Sequence, residues 1–178
     1  LNHPNIVQIF DLGEEQEAYF IAMEYVHGRD LASAIAYRPN PVECVSDGLS
    51  LPLRMFIACE AARALDYAHR RRADDGRPLG IVHRDVKPDN IFLVTDDDRE
   101  IVKILDFGVA KQTSQAIDGS NTKTGAMLGT PYYMSPEQAQ MTSLDIDTRS
   151  DIYALGVLLY ELLTGRTPID TATMARAG

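Results

Sequence analysis

The chain of 178 residues is poor in cysteine, and its acidic residues outnumber its basic ones. Its two cysteines, Cys44 and Cys59, are too few for a disulfide framework and lack the histidine spacing of a metal site, which favours a reducing compartment. We expect Cys59 to be a small core residue, because it lies in an apolar helical pattern, and Cys44 to be exposed. The formal net charge of −9 argues against a nucleic acid or an anionic membrane as the main partner.

Long hydrophobic runs are also absent. The longest, Ile152–Leu163, is interrupted by Glu161 and is too short to span a membrane. Hydrophobic residues make up 45% of the chain and charged residues 24%, which predicts one globular domain, and we expect it to be cytoplasmic. The chain begins at Leu1 without a methionine or a signal-like segment, so we expect a fragment whose flanking residues could carry a membrane anchor.

Apolar periodicity predicts strands and helices along most of the chain. The predicted hairpin has a first strand from Ile6 to about Asp11, a polar turn at Gly13–Glu17 and a second strand at Ala18–Val26. An amphipathic helix is predicted over Pro52–Arg72, with Met55 and Phe56 in its packing. The other predicted elements are a short helix at Leu31–Tyr37, strands at Ile91–Val94 and Ile101–Leu105 joined by a turn at Thr95–Glu100, and a helix at Asp151–Leu163 that Gly165 ends.

The segment His83–Asn90 (HRDVKPDN) places charged and amide side chains between two predicted strands. Asp106 follows a third strand, and strands joined in this way can bring Asp85, Asn90 and Asp106 to one edge. The oxygen atoms of Asn90 and Asp106 suit Mg²⁺, which binds phosphates. Asp85 would then accept a proton from an attacking hydroxyl, and Lys87 would neutralise charge on a transferred phosphoryl group. The pattern indicates phosphoryl transfer; the alternative is that Asp85 and Asp106 are solvated turn acids.

Several stretches together resemble the catalytic domain of eukaryotic-type (Hanks-type) protein kinases, in particular bacterial serine/threonine kinases. They are YFIAMEYVHGRDL (Tyr19–Leu31), HRDVKPDN, DFG (Asp106–Gly108), GTPYYMSPE (Gly129–Glu137) and SDIYALGVLLYELLTG (Ser150–Gly165). The resemblance covers nearly the whole chain, except the loop after Tyr37 and the final tail. It implies an α+β, protein-kinase-like fold, with the end of a small lobe and the hinge at residues 1–26 and a mostly helical large lobe at residues 27–178.

The resemblance also implies roles for the charged residues. Asp85 is the expected catalytic base, and Lys87 is expected to contact the γ-phosphate. Asn90 and Asp106 are expected to hold Mg²⁺, so the implied cofactors are ATP and Mg²⁺.

The hinge and the strand that follows the catalytic segment are expected to hold the nucleotide. The resemblance implies that the Glu24 carbonyl and the Val26 N–H bind the adenine, with Met23 guarding the pocket behind it and Phe92 forming its floor. Asp30 stands where the family often places an acid near the ribose. Its alternative role is that of the residue that caps the helix beginning at Leu31.

Other matching residues are expected to have structural roles. His83 and Phe107 are expected to pack, with His83 buried and hydrogen-bonded. Asp151 is expected to hydrogen-bond the backbone of the catalytic segment. Glu137 pairs in the family with an arginine further along the chain, and that partner is missing from these 178 residues.

Lys87 and Thr130 together match the serine/threonine-specific pattern of the family, and Thr130 is expected to help to shape the hydroxyl-acceptor site. The implied partners are proteins with serine or threonine hydroxyls, including a second copy of the kinase if it autophosphorylates in trans. Two other hypotheses remain. A pseudokinase-like scaffold is disfavoured by the complete set of Asp85, Lys87, Asn90 and Asp106, and a small-molecule phosphotransferase would not be expected to carry GTPYYMSPE.

Three features of the family are missing from the sequence: the glycine-rich loop, the strand lysine that anchors the phosphates and its helix glutamate partner. The final helices of the large lobe are missing as well. We therefore expect residues 1–178 to be the middle of a kinase domain. When they are expressed alone, we expect weak ATP binding and no detectable phosphate transfer.

The segment between DFG and SPE is expected to be controlled by phosphorylation. Arg84 and Lys111 can converge on a phosphate, and arginine offers two parallel hydrogen bonds. The candidate acceptors are Thr122 and Thr124, followed by Ser120 and Thr113. Mass spectrometry of the active, full-length protein should find phosphate between Lys111 and Gly129, mainly on the Thr122/Thr124 pair. An active protein without phosphate in this range would contradict the prediction.

Overall fold

Two antiparallel sheets and two long helices surround the segment that carries Asp85. The computed structural model describes residues 1–15, 18–36, 49–96, 99–107, 131–140 and 146–169. In chain order, the elements are β1 (Ile9–Glu15), β2 (Ala18–Met23), β3 (Arg29–Asp30), α1 (Leu31–Ala36), α2 (Leu51–His69), a 3₁₀ turn (Pro88–Asn90), β4 (Ile91–Asp96), β5 (Arg99–Ile104), a second 3₁₀ turn (Pro131–Tyr133), α3 (Pro136–Ala139) and α4 (Thr148–Thr164). β1 pairs with β2, and β3, β4 and β5 form the second sheet in that order.

The hairpin of β1 and β2 differs from its prediction. β1 continues through most of the predicted polar turn at Gly13–Glu17, as far as Glu15, and β2 ends earlier than predicted. Ile6 and Val7 do not belong to β1 but lie against β5. Ile6 forms a parallel bridge with Ile104, and the Val7 N–H donates to the Ile104 carbonyl at 2.9 Å. Both side chains are buried, so packing against β5, not hairpin pairing, accounts for the apolar pattern here.

Helix α2 turns a face of mostly small side chains towards α4. Ser50 caps its first turn by accepting a hydrogen bond from the Leu53 N–H at 3.4 Å. The buried apolar positions are Ile57, Ala58, Ala61, Ala64, Leu65 and Ala68. The predictions for Met55, Phe56 and Cys59 are wrong, because all three are exposed. They lie about 120–160° around the helix from the centre of the buried face, at about 100° per residue.

Helix α4 begins earlier than the predicted start at Asp151. Asp147 accepts a hydrogen bond from the Arg149 N–H at 2.8 Å and so caps the helix. Gly165 ends it in the left-handed region (φ 74°), as predicted. None of the helices in the part of the chain that the structure describes is long and apolar enough to cross a membrane.

The second sheet contains a short strand that the sequence analysis did not predict. In this strand, β3, Arg29 pairs with Leu93 and Asp30 with Phe92. The backbone comes so close here that a Cβ on Gly28 would lie 2.3 Å from the Leu93 carbonyl oxygen. Only glycine can be accommodated where the two backbones come this close. Gly28 is the residue through which the chain passes from the end of the hairpin to the sheet. The predicted division of the chain at residue 26 stays a prediction.

Gly28→Ala should lower the free energy of unfolding by about 1–3 kcal/mol, because the backbone of β4 must move to admit the methyl group. Gly156→Ala is the matched control: a Cβ there meets nothing within 4 Å, and alanine is favoured over glycine in a helix by about 0.5–1 kcal/mol. Chemical unfolding of the two variants should therefore shift in opposite directions. Equal shifts would contradict the close approach at Gly28.

Candidate active site

Asp85, Lys87 and Asn90 contact one another in the loop that leads into β4. The Asn90 Nδ2 donates to the Asp85 carbonyl at 2.8 Å and to its Oδ2 at 3.0 Å. The Lys87 Nζ lies 3.2 Å from the same Oδ2. Side-chain exposure differs sharply within the pair, at 40% for Asp85 and 17% for Lys87. The structure thus brings these three predicted site residues together and leaves the Asp85 carboxylate open to solvent.

The 3₁₀ turn at Pro88–Asn90 explains how the amide reaches back. Pro88 stands at the first position of the turn, where its fixed φ is favourable, and the Asn90 N–H donates to the Lys87 carbonyl at 3.0 Å. The reversal places the Asn90 side chain over Asp85. Because the amide nitrogen makes both bonds to Asp85, the amide oxygen of Asn90 takes no part in them.

The buried carboxylate of Asp151 holds the start of this loop. Its Oδ2 accepts from the His83 N–H and its Oδ1 from the Arg84 N–H, both at 2.8 Å. Its Oδ2 also lies 2.7 Å from the His69 Nε2. Asp151 is only 1% exposed. The prediction that Asp151 bonds the backbone of the catalytic segment is confirmed, whereas the contact with His69 was not predicted.

His83 is buried and hydrogen-bonded, as predicted. Its Nδ1 accepts from the Asp85 N–H at 3.2 Å, so Nε2 carries the hydrogen and donates to the Leu105 carbonyl at 2.7 Å. Its ring meets that of Phe107 edge to face, with centroids 4.7 Å apart. Burial lowers the pKa of His83, and this outweighs the nearby carboxylate of Asp151, which raises it. The imidazole is therefore neutral, and its two hydrogen bonds connect the loop to the backbone at Leu105.

Asp106 follows β5 in the left-handed backbone region (φ 58°), and it is exposed. The Leu105 N–H donates to the Asn90 carbonyl at 2.9 Å, which brings the segment that carries Asp106 beside Asn90. Among the described residues, no three His, Cys, Asp or Glu side chains cluster closely enough to hold a metal ion. A carboxylate and an amide oxygen at neighbouring positions nevertheless fit Mg²⁺, which takes its other ligands from water and phosphate.

The residues predicted to hold a nucleotide lie where the hairpin meets the second sheet. Asp30 and Phe92 are partners in β3 and β4. Asp30 also caps α1: its Oδ1 accepts from the Ser33 N–H at 2.7 Å and its Oδ2 from the Ser33 hydroxyl at 2.8 Å. These bonds hold the pKa of Asp30 below its usual value. The capping role is thus present, and the expected role near the ribose stays a prediction. Val26 is half-buried.

Glu24 connects the end of the hairpin to β5. Its carboxylate accepts from the Gln8 N–H at 3.2 Å and pairs with the Lys103 ammonium at 2.5 Å. Burial raises the pKa of Glu24, but the hydrogen bonds from Lys103 and Gln8 together lower the pKa by a larger amount. The pKa of Glu24 therefore lies below its usual value. The expected contact of its main-chain carbonyl with adenine stays a prediction.

A cavity of about 470 Å³ separates the hairpin from the start of the catalytic loop. Ile9 and Met23 line it from the hairpin, and Ile81, Asp106 and Phe107 line it from the other side. The expected role of Met23 behind the nucleotide pocket stays a prediction.

Some predicted site residues lie outside the described residues. They are Lys111, Thr113, Ser120, Thr122, Thr124 and Thr130. Arg84, the other half of the expected phosphate clamp, is half-buried at the edge of the cavity. The clamp itself stays a prediction.

Two contacts of the SPE segment were missed. Ser150 donates from its hydroxyl to the Glu137 Oε1 at 2.6 Å and lowers the pKa of Glu137. Gln138 donates from Nε2 to the Arg84 carbonyl at 2.7 Å. The S-x-x-Q pattern of Ser135–Gln138 is a sequence signal for a capping box and would have predicted the start of α3.

Comparison with known proteins identifies the family. A family model described as the protein kinase domain matches residues 1–177. The chain belongs to the protein kinase domain family. The predicted α+β kinase fold is confirmed as well: the kinase domain of Mycobacterium tuberculosis PknI superposes with a TM-score of 0.67 at 32% identity, over 96% of this chain and 54% of that one.

Bacterial kinases are among the relatives. The chain is 42% identical to a serine/threonine-protein kinase A of Synechocystis sp., over 93% of this chain and 29% of the relative. It is also 42% identical to a tyrosine-protein kinase, MasK of Myxococcus xanthus, over 96% of this chain and 24% of the relative. The kinase chain thus spans about a quarter of the length of these curated relatives.

The Asp151 contacts predict a selective loss of stability. Asp151→Asn should lower the free energy of unfolding of the kinase by about 2–4 kcal/mol. The amide nitrogen of asparagine would face a backbone N–H, and it cannot accept a hydrogen bond from that group. Asp147→Asn, the same change at the cap of the same helix, should cost less than about 0.5 kcal/mol, since asparagine is an equally good cap. Denaturant unfolding of both variants measures the difference. Similar losses would show that the buried bonds are unimportant.

Proposed function

We propose that this chain forms part of a protein serine/threonine kinase, which transfers the γ-phosphoryl group of ATP to hydroxyl groups of protein substrates. The main support for the proposal is that Asp85 contacts both Lys87 and Asn90, in a loop that is held by hydrogen bonds to Asp151. Membership of the protein kinase family supports it independently. The presence of Asp85, Lys87, Asn90 and Asp106 counts against a pseudokinase-like scaffold, because degenerate kinases typically lose one of these residues.

Asp85 is the group that we assign to the substrate hydroxyl. Its Oδ2 faces Lys87 and Asn90, so Oδ1 is the oxygen that we expect to receive the hydroxyl hydrogen bond and then the proton. The two contacts fix the carboxylate against rotation, and its 40% exposure leaves room for a protein side chain to approach. Lys87 is positioned to stabilise negative charge on the group in transfer.

ATP and Mg²⁺ are the proposed cofactors. Asn90 and Asp106 would hold the ion, whose charge neutralises the phosphate oxygens. The Glu24 carbonyl and the Val26 N–H would bind the adenine, which would lie between Met23 and Phe92. Asp30 would lie near the ribose while it caps α1. Thr130 would shape the hydroxyl-acceptor site beside Asp85 and Lys87.

The hydroxyl specificity is a separate part of the proposal. Lys87 and Thr130 favour serine and threonine, yet a relative named as a tyrosine kinase is as similar as one named as a serine/threonine kinase. Phosphoamino-acid analysis of a labelled substrate distinguishes the two. Autophosphorylation in trans and a cytoplasmic location belong to the same proposal.

In the full-length protein, Asp85→Asn should lower kcat by about 10²–10⁴-fold while the KM for Mg·ATP changes little, because the base is lost but the nucleotide contacts are not. Asp106→Asn should instead weaken Mg²⁺-dependent nucleotide binding, which titration with a non-hydrolysable ATP analogue measures. Asp89→Asn, at an exposed position in the same loop, is the matched control and should keep kcat within about twofold.

A kcat for Asp85→Asn within threefold of the wild-type value would remove Asp85 from the mechanism. A wild-type protein that transfers no phosphate to any protein substrate would overturn the proposed function as a whole.

A further inference from the structure

The short helix α3 begins with a capping box whose second member is Gln138. The Gln138 N–H donates to the Ser135 hydroxyl at 3.4 Å, and the Ser135 N–H donates to the Gln138 Oε1 at 3.1 Å. Ser135 is fully buried. The oxygen of the Gln138 amide is therefore used within α3, as in other capping boxes.

The nitrogen of the same amide forms a hydrogen bond with a residue outside the helix. Gln138 Nε2 donates to the carbonyl of Arg84, at 2.7 Å. That carbonyl belongs to the peptide group between Arg84 and Asp85, whose N–H donates to His83 Nδ1 at 3.2 Å. Both polar ends of the peptide that carries Asp85 are thus held by side chains, one from α3 and one from the loop.

The backbone at Arg84 needs such support. Its φ of 69° lies in the left-handed region, which residues with a Cβ rarely adopt. Asp151 fixes the N–H of Arg84 and Gln138 fixes its carbonyl. Without the second bond, the peptide between Arg84 and Asp85 keeps only the bond of its N–H to His83, and the backbone that carries the Asp85 side chain is held less firmly.

Adjacent residues close these bonds into a ring. Glu137, next to Gln138, accepts from the hydroxyl of Ser150, which precedes Asp151. The ring therefore runs from α3 to α4 through Glu137 and Ser150, from α4 to the loop through Asp151, and from the loop back to α3 through Gln138. A displacement of α3 is transmitted to the loop directly.

We propose that Gln138 is a positioning residue for the kinase reaction, which orients the Asp85 carboxylate through the carbonyl of Arg84 and couples it to α3. The inference rests on the proposed function of Asp85. It concerns the orientation of the base and not the binding of nucleotide, because Gln138 contacts neither the hairpin nor β3 among its described bonds.

Gln138→Glu separates this role from a merely structural one. Glutamate keeps an oxygen for the Ser135 N–H and is favourable at this helix position, so the cap is retained. It removes the donor to the Arg84 carbonyl and places a carboxylate oxygen there instead. Gln140→Glu makes the same change of charge at an exposed position at the end of α3 and is the matched control.

Steady-state kinetics of the full-length protein should show that Gln138→Glu lowers kcat by about 10–100-fold, as expected for a misplaced base, with the KM for Mg·ATP within about twofold of the wild-type value. Gln140→Glu should leave both parameters within about twofold. Amide hydrogen exchange of residues 81–87, measured by mass spectrometry, should be faster in Gln138→Glu and unchanged in Gln140→Glu. Gln138→Met, which lacks both the donor and the charge, should reproduce the loss of kcat if Gln138→Glu fails to fold.

The inference is overturned if Gln138→Glu keeps its kcat within twofold, if Gln140→Glu loses as much, or if exchange of residues 81–87 is unchanged. A wild-type protein without phosphate transfer would instead overturn the proposed function. The exchange measurement then decides alone whether Gln138 holds the loop, since faster exchange supports the contact and unchanged exchange refutes it.

Discussion

The buried carboxylate of Asp151 is the interaction on which the rest of the site depends. A carboxylate removed from water needs hydrogen-bond donors on both oxygens, and Asp151 obtains them from the His83 and Arg84 N–H groups and from His69. The donors come from α2 and from the loop, whereas the acceptor stands on α4. Satisfying this one group therefore holds three parts of the chain in a single arrangement, and it compensates for the unusual backbone conformation at Arg84.

Two aspartates within this small region have different surroundings and so different tasks. Asp151 has almost no contact with solvent, and its oxygens accept hydrogen bonds from two backbone N–H groups and from the His69 side chain. Asp85 stands two residues after His83, faces a lysine and an amide on one side and is open on the other. Environment, not residue type, makes one of them a fixed anchor and the other available to a reactant. The imidazole of His83, which accepts from the Asp85 N–H, is neutral and adds no charge to this region.

Much of this arrangement could be predicted because the signals are local. Apolar spacing indicates α2 and α4, a glycine after the last apolar residue marks the end of α4, and HRDVKPDN carries its site within eight residues.

Met55, Phe56 and Cys59 were misplaced because an apolar residue can lie on the solvent side of a helix when small alanines supply the buried face. Ile6 and Val7 were assigned to the wrong partner because strand periodicity does not say which strand will pair. The Gln138 bond links positions 54 residues apart, and no local pattern encodes such a contact.

The attachment of residues 5–7 to β5 has a mechanical consequence. The Ile104 N–H donates to the Asn5 carbonyl, the Asn5 side chain donates to the Val102 carbonyl, and Glu24 pairs with Lys103, so the base of the hairpin is fastened along one strand. Any pivoting of the hairpin must take place about a line near β5, two residues before Asp106. Points close to a pivot move least. We therefore expect any such motion to displace Glu15 and Ala18, at the far end of the hairpin, more than it changes the distance between Asp106 and Asn90.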